Sequence, residues 1–192
     1  MKWENVKPDI RHCDFSRVTH TLSAPAIIKL VSVVSDGPFV VISADIDAEL
    51  KHHLSSYRVE AGGLLVGKVH SFSSLDQDLI AIEITSTAPS IDFDGTAVSL
   101  RMSSSVWGAT KNIRSNDEFV VGWYHSHPNL GAFFSGTDRA TQKRFFFNAF
   151  NVGLVVDPIR NEEKWFRTGD SVEVDHNKVR RSLPWVGAGK NV

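Results

Sequence analysis

The sequence predicts a mixed α/β (α+β) fold in which a curved, partly antiparallel β-sheet is flanked by helices. Short apolar runs rich in β-branched and aromatic residues predict strands, and stretches with apolar residues at helical spacing lie between some of them. Along the chain the predicted order is β, β, α, β, β, α, β, α, β, β, without an internal repeat, a low-complexity block or an interdomain linker. At 192 residues this pattern suits one domain with a core of useful size.

The first third of the chain predicts a hairpin followed by a helix. Strand-like residues 27–34 and 39–43 flank a Ser-Asp-Gly-Pro turn signal, so we expect the two strands to pair as a hairpin. Apolar residues at helical spacing then predict a helix over residues 46–56. His52 and His53 are neighbours on this helix and face different directions, so they are interpreted as surface residues.

Strands, loops and helices alternate through the rest of the chain. Strands are predicted at residues 62–69, 79–85, 119–124, 152–156, 163–167 and 171–174. A loop is predicted at residues 89–96, a helix at residues 98–113, and a further helix from Ser135 to about residue 149. This last helix contains three consecutive phenylalanines at residues 145–147, which cannot all face one side. We expect at least two of them to pack in the core and leave one that can line a groove.

Composition and charge exclude several classes of function. The formal net charge of -1 offers no general electrostatic attraction for nucleic acid or an anionic membrane. No apolar run approaches the roughly 20 residues that span a bilayer, so no membrane partner is expected. The one cysteine, Cys13, excludes an intramolecular disulfide and a multi-cysteine zinc site, and it is interpreted as a plain thiol. Without a disulfide framework or a signal peptide, the expected location is cytoplasmic.

Three segments are expected from these patterns. Residues 1–24 are polar without a clear period and are assigned as an N-terminal extension. Residues 25–169 form the predicted domain, and residues 170–192 a C-terminal strand or tail, which Trp185 can anchor.

Candidate metal ligands follow the strand predicted at residues 119–124. His125 and His127 are separated by one residue, so in extended chain their side chains point to the same face. Ser135 is placed to cap the next helix, with Asp138 in its first turn. Two imidazoles and a carboxylate suit Zn²⁺ and leave a fourth position for water. A lone His-x-His pair is common on surfaces and a Ser-x-x-Asp pair is commonly a simple cap, but their combination favours the metal interpretation.

The same residues resemble the JAMM motif of the JAB1/MPN/Mov34 metalloproteases. The string His-Ser-His-Pro, followed seven residues later by Ser135 and then by Asp138, matches the motif. The upstream glutamate of the family matches Glu60, in the string Val-Glu-Ala-Gly-Gly-Leu-Leu-Val-Gly. The resemblance covers about residues 40–166. Glu83 is a rival for the glutamate but lacks the pair of glycines that follows Glu60.

The resemblance implies a JAB1/MPN-like fold and zinc-dependent amide hydrolysis. One Zn²⁺ would be held by His125, His127 and Asp138. Glu60 would act as general base towards a water and then as general acid towards the leaving amine. Ser135 would donate a hydrogen bond to the developing oxyanion. Whether one hydroxyl can both cap the helix and serve the oxyanion is left open by the sequence.

The resemblance also implies a ubiquitin-like substrate, cleaved after its C-terminal glycine in a conjugate or a precursor. Residues 91–102 correspond to the first insertion of the family, which helps to hold the distal ubiquitin. Phe93, Val98 and Met102 are therefore predicted substrate contacts, although core packing explains Val98 and Met102 equally well. The second insertion of the chain-specific members is expected to be absent, which argues against strict linkage specificity.

The nearly stand-alone domain looks like the prokaryotic branch of the family, which favours a bacterial deubiquitinase-like protease in a ubiquitin-like conjugation system. Three alternatives stay open: a peptidase that trims a sulfur-carrier protein, a non-catalytic MPN scaffold, and a hydrolase of an unrelated small amide. The intact motif disfavours the scaffold. The sequence predicts neither the modifier nor the oligomeric state.

Overall fold

The computed structural model describes residues 11–12, 24, 37–74 and 77–182. The strands are β1 (Arg11–His12), β2 (Phe39–Ser43), β3 (Gly62–Ser74), β4 (Gln77–Pro89), β5 (Phe93–Gly95), β6 (Leu100–Met102), β7 (Phe119–Ser126), β8 (Val152–Asp157), β9 (Glu162–Arg167), β10 (Val172–Glu173) and β11 (Val179–Ser182). The helices are α1 (Ala44–Ser55), α2 (Ser105–Ile113) and α3 (Gly136–Phe145), with a short 3-10 turn at His176–Lys178.

Nine of the described strands form one mixed sheet. Its order is β10-β9-β8-β7-β3-β4-β2-β11, with β1 alongside β3. Strand β3 runs antiparallel to both β4 and β7, and β9 runs antiparallel to β8 and β10. The pairs β7–β8, β2–β4, β2–β11 and β1–β3 are parallel. The prediction of a mixed α/β fold with a partly antiparallel sheet is therefore confirmed.

The sheet has a buried hydrophobic cluster on each face. The cluster that includes α1 contains Val40, Ile42, Leu50, Leu54, Tyr124 and Leu154, among others. The cluster beside α2 contains Leu64, Val106, Trp123, Phe134, Phe146 and Val155, among others. Because both faces are covered, most positions of the central strand β7 are buried, and β8 is buried at every position. No helix in the described part of the chain is both long and apolar enough to cross a membrane.

The structure corrects the predicted hairpin at the start of the domain. Strand β2 has β4 on one edge and β11 on the other, both parallel to it. Residues 27–34 lie outside the described residues, as do residues 13–23 with Cys13 and the tail with Trp185. Since both edges of β2 are occupied, this strand offers no free edge to a hairpin partner. The local turn signal was a poor guide because the partners of β2 come from distant parts of the chain.

The helix predicted over residues 98–113 starts later than expected. Strand β6 pairs with β5, which lies inside the predicted loop, and only then does α2 begin at Ser105. Leu100 and Met102 are half-buried while Arg101 between them is exposed, so the apolar residues repeat every second position, as in a strand.

Helix α3 ends earlier than expected, at Phe145. The side-chain amide of Gln142 donates to the Phe146 carbonyl, and Phe146 leaves the helical region with φ -129° and ψ 47°. Only Phe146 of the three phenylalanines is buried, whereas Phe145 and Phe147 are exposed. The expectation that at least two of them pack in the core is therefore wrong.

His53 is not a free surface residue. Its Nδ1 lies 3.1 Å from the hydroxyl of buried Tyr124, and burial lowers the pKa of its imidazole. His52 is exposed as expected.

A buried carboxylate joins α1 to two distant strands. Asp47 accepts hydrogen bonds from Arg181 on β11 and from Lys51 one turn along the helix. Arg181 and Lys51 also reach Glu163 on β9. Although burial alone would raise their pKa values, Arg181 and Lys51 hold the pKa of Asp47 and of Glu163 below the ordinary range. The cluster ties the helix across the end of the sheet.

Asp47→Asn is expected to lower the free energy of unfolding at pH 7 by about 1–3 kcal/mol, because it removes the charged acceptor from Arg181 and Lys51. A carboxylate whose pKa is lower in the folded than in the unfolded state stabilises the fold at a pH above its unfolded-state pKa. This stabilisation is lost as the pH falls through its folded-state pKa. The deficit should therefore shrink below about pH 4. Denaturant unfolding at several pH values measures it, with exposed Asp45→Asn in the same helical turn as the near-neutral control. A deficit independent of pH would contradict this account.

Candidate metal centre

The first two candidate ligands lie at the end of β7. This strand sits between β3 and β8, and the His127 N–H donates to the Val156 carbonyl at 2.9 Å, so the chain stays extended through both histidines. Their side chains consequently share one face, as the spacing predicts. His125 is fully buried and His127 is 2% exposed. Pro128 follows without an N–H and ends the strand.

The third candidate ligand lies in the first turn of α3. The Ser135 hydroxyl accepts from the Asp138 N–H at 3.2 Å, and the Asp138 carboxylate accepts from the Ser135 N–H at 2.7 Å. This reciprocal capping box fixes the aspartate at the helix start. The cap uses Ser135 Oγ as an acceptor, and its O–H, which faces the Asp138 carboxylate, remains a donor. Capping and a second role as a hydrogen-bond donor are thus compatible in one hydroxyl.

The two elements bring three potential ligand atoms together. His125 Nε2 lies 3.2 Å from His127 Nε2 and 3.3 Å from Asp138 Oδ1, and His127 Nε2 lies 3.5 Å from Asp138 Oδ2. Tetrahedral zinc with bonds of about 2.0–2.1 Å places neighbouring ligand atoms about 3.3 Å apart. Two ring nitrogens that face each other and a carboxylate in a buried site need a positive centre between them. The donor set and its spacing therefore fit a divalent cation such as Zn²⁺.

Glu60 lies beside this cluster. Its Oε1 is 3.6 Å from His127 Nε2, and the residue is 4% exposed. Burial raises the pKa of Glu60 to about 7. The His127 side chain lowers this pKa, and the negative charge of Asp138 raises it. The rival Glu83 instead lies 2.7 Å from His70 Nε2. The structure thus places Glu60 next to the candidate ligands and Glu83 next to a different histidine.

Ser126, the residue between the two histidines, links Glu60 to the ligand strand. Its hydroxyl accepts from the Ala61 N–H at 3.1 Å, and its own N–H donates to the Ala61 carbonyl at 2.9 Å. The Glu60 N–H donates to the Thr96 carbonyl at 2.8 Å. These contacts hold residues 60–61 against the end of β7. Sequence reasoning did not assign this role to Ser126.

The charges of the cluster are strongly coupled. Burial lowers the pKa of His125 below the ordinary value. Burial also opposes protonation of His127, but Asp138 and Glu60 raise the pKa of its imidazole overall. Despite burial, the two histidines and the Ser135 side chain hold the pKa of Asp138 well below its usual range. The cluster thus keeps an ionised carboxylate facing two imidazoles.

Aromatic side chains support the histidines. The Trp123 ring stacks on His125 with centroids 4.5 Å apart and 4° between the planes, and Trp123 Nε1 donates to Gln142 at 2.7 Å. Phe133 lies edge-on to His127 at 4.9 Å. Trp123 lies two residues before His125 on the strand, so the two side chains share a face. Gln142 lies four residues after Asp138 on the helix, so these two also share a face. These spacings could have predicted that Trp123 and Gln142 support the candidate ligands, but the sequence analysis did not use them.

A groove of about 300 Å³ leads away from the cluster. Glu60, Ser135 and Asp138 lie in its wall, which continues along residues 98–104 and along α3. Val98 and Met102 line the groove, with Val98 71% exposed. Phe93 does not line it and packs instead on Tyr57, with ring centroids 5.2 Å apart. The substrate-contact roles of Phe93, Val98 and Met102 stay predictions.

The fold and the cluster together define a class of protein: a mixed-sheet domain with a buried His-His-Asp centre and an adjacent glutamate. The family described as prokaryotic homologs of the JAB domain matches residues 43–168, and the chain belongs to this family.

Two relatives agree with this assignment, and one solved structure shares the fold. The chain is 32% identical over 114 residues to the ubiquitin carboxyl-terminal hydrolase RPN11 of Saccharomyces cerevisiae. The matched region covers 58% of this chain and 36% of that protein. The chain is 32% identical over 111 residues to COP9 signalosome complex subunit 5 of Drosophila melanogaster, with coverages of 57% and 33%. The chain thus spans about a third of these relatives. The solution structure of protein DSY2949 from Desulfitobacterium hafniense matches with a TM-score of 0.54 and 20% identity, over 76% of this chain and 95% of that one. That likeness concerns the fold alone.

Proposed function

We propose that the protein is a zinc-dependent isopeptidase or peptidase that cleaves after the C-terminal glycine of a ubiquitin-like protein. The observation that carries the proposal is the convergence of His125, His127 and Asp138 at distances of 3.2–3.5 Å with Glu60 beside them. This is a cation site with a proton-transfer group next to it. The name of the yeast relative, a ubiquitin carboxyl-terminal hydrolase, supports the substrate class.

The setting we propose is a bacterial ubiquitin-like conjugation system in the cytoplasm, with the domain formed by residues 25–169. The match to the prokaryotic branch of the family supports this setting. Either conjugates or a precursor of the modifier would be substrates, because both present the same glycine carbonyl to the site.

Each polar group of the site has a distinct task in this reaction. A bound Zn²⁺ would supply Lewis acidity towards the substrate carbonyl and the attacking water. Glu60 takes the proton of the water and returns it to the leaving amine, for which a pKa near neutrality is well suited. Ser135 donates its O–H to the oxyanion, while its lone pair stays on the Asp138 N–H.

The groove explains how an extended tail would reach this centre. It runs from Glu60 and Asp138 along residues 98–104. Among the described strands, β6 is paired only with β5, so its second edge is not hydrogen-bonded to a strand. A peptide tail added there would gain main-chain hydrogen bonds. We expect the small glycine residues at the end of a ubiquitin-like protein to reach the cluster through this groove.

The test is zinc content together with cleavage of a ubiquitin-like–peptide fusion by the purified chain. Stoichiometric zinc with release of the peptide after the terminal glycine supports the proposal. Bound zinc with intact fusion proteins and conjugates would overturn the substrate class. A folded protein that binds no zinc would overturn the metal centre itself.

Ser135→Ala is expected to lower kcat by about 10²–10³-fold, because it removes the oxyanion donor. The same change removes the helix cap and should cost about 1 kcal/mol of stability. Steady-state kinetics and denaturant unfolding separate the two effects. Ser104→Ala is the matched control, because Ser104 also lines the groove and precedes a helix but makes no capping hydrogen bond. Equal losses of kcat in both variants would contradict the assigned role.

A further inference from the structure

Asp157, the last residue of β8, carries a fully buried carboxylate that is shared between two loops. Its Oδ1 accepts from the N–H groups of Ile159 at 3.0 Å and Arg160 at 3.1 Å, which close the turn after β8. The same oxygen accepts from Asn129 at 3.0 Å. Its Oδ2 accepts from Gly131 at 2.7 Å. One carboxylate thus connects the β8–β9 turn to the loop that follows His127.

That loop has two residues with positive φ. Asn129 has φ 62° and Gly131 has φ 92°, both in the left-handed region. Glycine adopts this region without penalty and asparagine more readily than other residues, so the two residue types suit the turn. The Asp157 hydrogen bonds fall on these two residues. They hold the loop in this one of the conformations open to it.

The loop in turn lies against the ring of His127. Among the described residues, His127 Nδ1 has no partner within hydrogen-bond geometry. Phe133, two residues after Gly131, lies edge-on to the His127 ring with centroids 4.9 Å apart. The Leu130 N–H donates to the His127 carbonyl at 3.2 Å. The loop therefore contacts both the ring and the backbone of this candidate ligand.

We propose that Asp157 is a positioning residue for the metal centre: by holding Gly131, it fixes the loop that orients the His127 ring. Residues that surround a metal-ligating histidine fix the orientation of its ring. Asp157 acts one step further out, through the loop that carries Phe133. This inference rests on the metal centre of the proposed function. It assigns a role to a residue that lies outside the metal motif.

Asp157→Asn removes the contact to Gly131 and leaves the other contacts of the carboxylate. The amide keeps one oxygen for residues 159–160 and for Asn129 but replaces the acceptor facing Gly131 with an N–H₂ group. Affinity for Zn²⁺ is measured by competition with a chelator, and the absorption spectrum of bound Co²⁺ reports the ligand geometry. We expect a loss of about 10–100-fold in Zn²⁺ affinity and an altered Co²⁺ spectrum. Wild-type affinity with a wild-type Co²⁺ spectrum would overturn the inference.

Arg181→Gln is the control for general destabilisation. It breaks the cluster of Asp47 and Glu163, which lies on other elements than the loop after His127. We expect it to lower the melting temperature and to leave Zn²⁺ affinity and the Co²⁺ spectrum unchanged. A loss of metal affinity in this variant equal to that of Asp157→Asn would assign the effect to stability and overturn the positioning role.

Gly131→Ala tests the loop without touching the carboxylate. A Cβ there would meet its nearest atoms at 3.4 Å and 3.5 Å, on the side chains of Glu162 and Arg160, so the substitution adds backbone strain without a severe clash. We expect the same kind of metal defect, and this variant decides the matter if Asp157→Asn does not fold. Wild-type protein that binds no metal would overturn both the metal centre and this inference. Unchanged metal binding in both loop variants would overturn the inference alone.

Discussion

Glu60→Gln is expected to abolish most hydrolysis while the metal stays bound. Glutamine keeps the size of the side chain but cannot take up the proton of the attacking water. Removing a general acid–base group costs about 10²–10⁴-fold in rate. Glu60 Oε1 lies 3.6 Å from the nearest candidate ligand atom, His127 Nε2, and Glu60 is not one of the three clustered ligands. We therefore expect stoichiometric zinc in the variant, with kcat reduced by this factor in the fusion-cleavage assay.

Glu83→Gln is the matched control, since Glu83 is the rival candidate for the catalytic glutamate and also lies beside a histidine. Its partner His70 is remote from the candidate ligands in sequence and forms a separate pair with it. We expect wild-type zinc content and wild-type kcat. Full activity in Glu60→Gln, or an equal loss in Glu83→Gln, would show that the catalytic glutamate has been assigned incorrectly.

Asp138→Asn is expected to remove the metal and, with it, the activity. Asparagine can still accept the Ser135 N–H, so the helix cap is largely preserved, but the anionic ligand is lost. Mutation of a residue that only surrounds the ligands lowers metal affinity by about 10–100-fold. Removal of a ligand itself should therefore lower the zinc affinity by more than about 100-fold. Metal analysis after dialysis and the thermal shift on adding zinc both measure this loss.

The thermal shift has an expected size. A ligand that binds only the folded state at a hundred times its Kd adds about 2.7 kcal/mol of stability. The wild-type melting temperature should rise accordingly, whereas that of Asp138→Asn should not respond at the same concentration. Asp175→Asn is the control, because Asp175 is also a capping aspartate but lies at the exposed 3-10 turn. A zinc-induced shift retained in Asp138→Asn would exclude Asp138 as a ligand.

Local patterns predicted much of the secondary structure. Strands β2, β8 and β9 and helix α1 lie within a few residues of their predicted bounds. These segments have apolar runs or periodic apolar residues and clear end signals, such as the Ser43 cap before α1 and the proline after Asp157. Prediction failed at residues 98–104, where two half-buried residues fit either period and the pairing of β6 with β5 decided the outcome. It failed again after Phe145, where the Gln142 side chain and burial of Phe146 end the helix.

The sequence by itself determined the relations that depend on short spacing. His125 and His127 share a face because they are two residues apart in a strand, and Ser135 and Asp138 cap a helix because they are three residues apart. The tertiary structure decided which distant groups meet them. Ser126 brings Ala61, 65 residues earlier, and hence Glu60 to the centre.

Asp157 reaches Gly131 across 26 residues, and β2 lies between β4 and β11. The periodicity of a segment indicates which face is buried but carries no information about the partner it is buried against. That choice follows from chain connectivity and from the requirement that buried polar groups find hydrogen-bond partners.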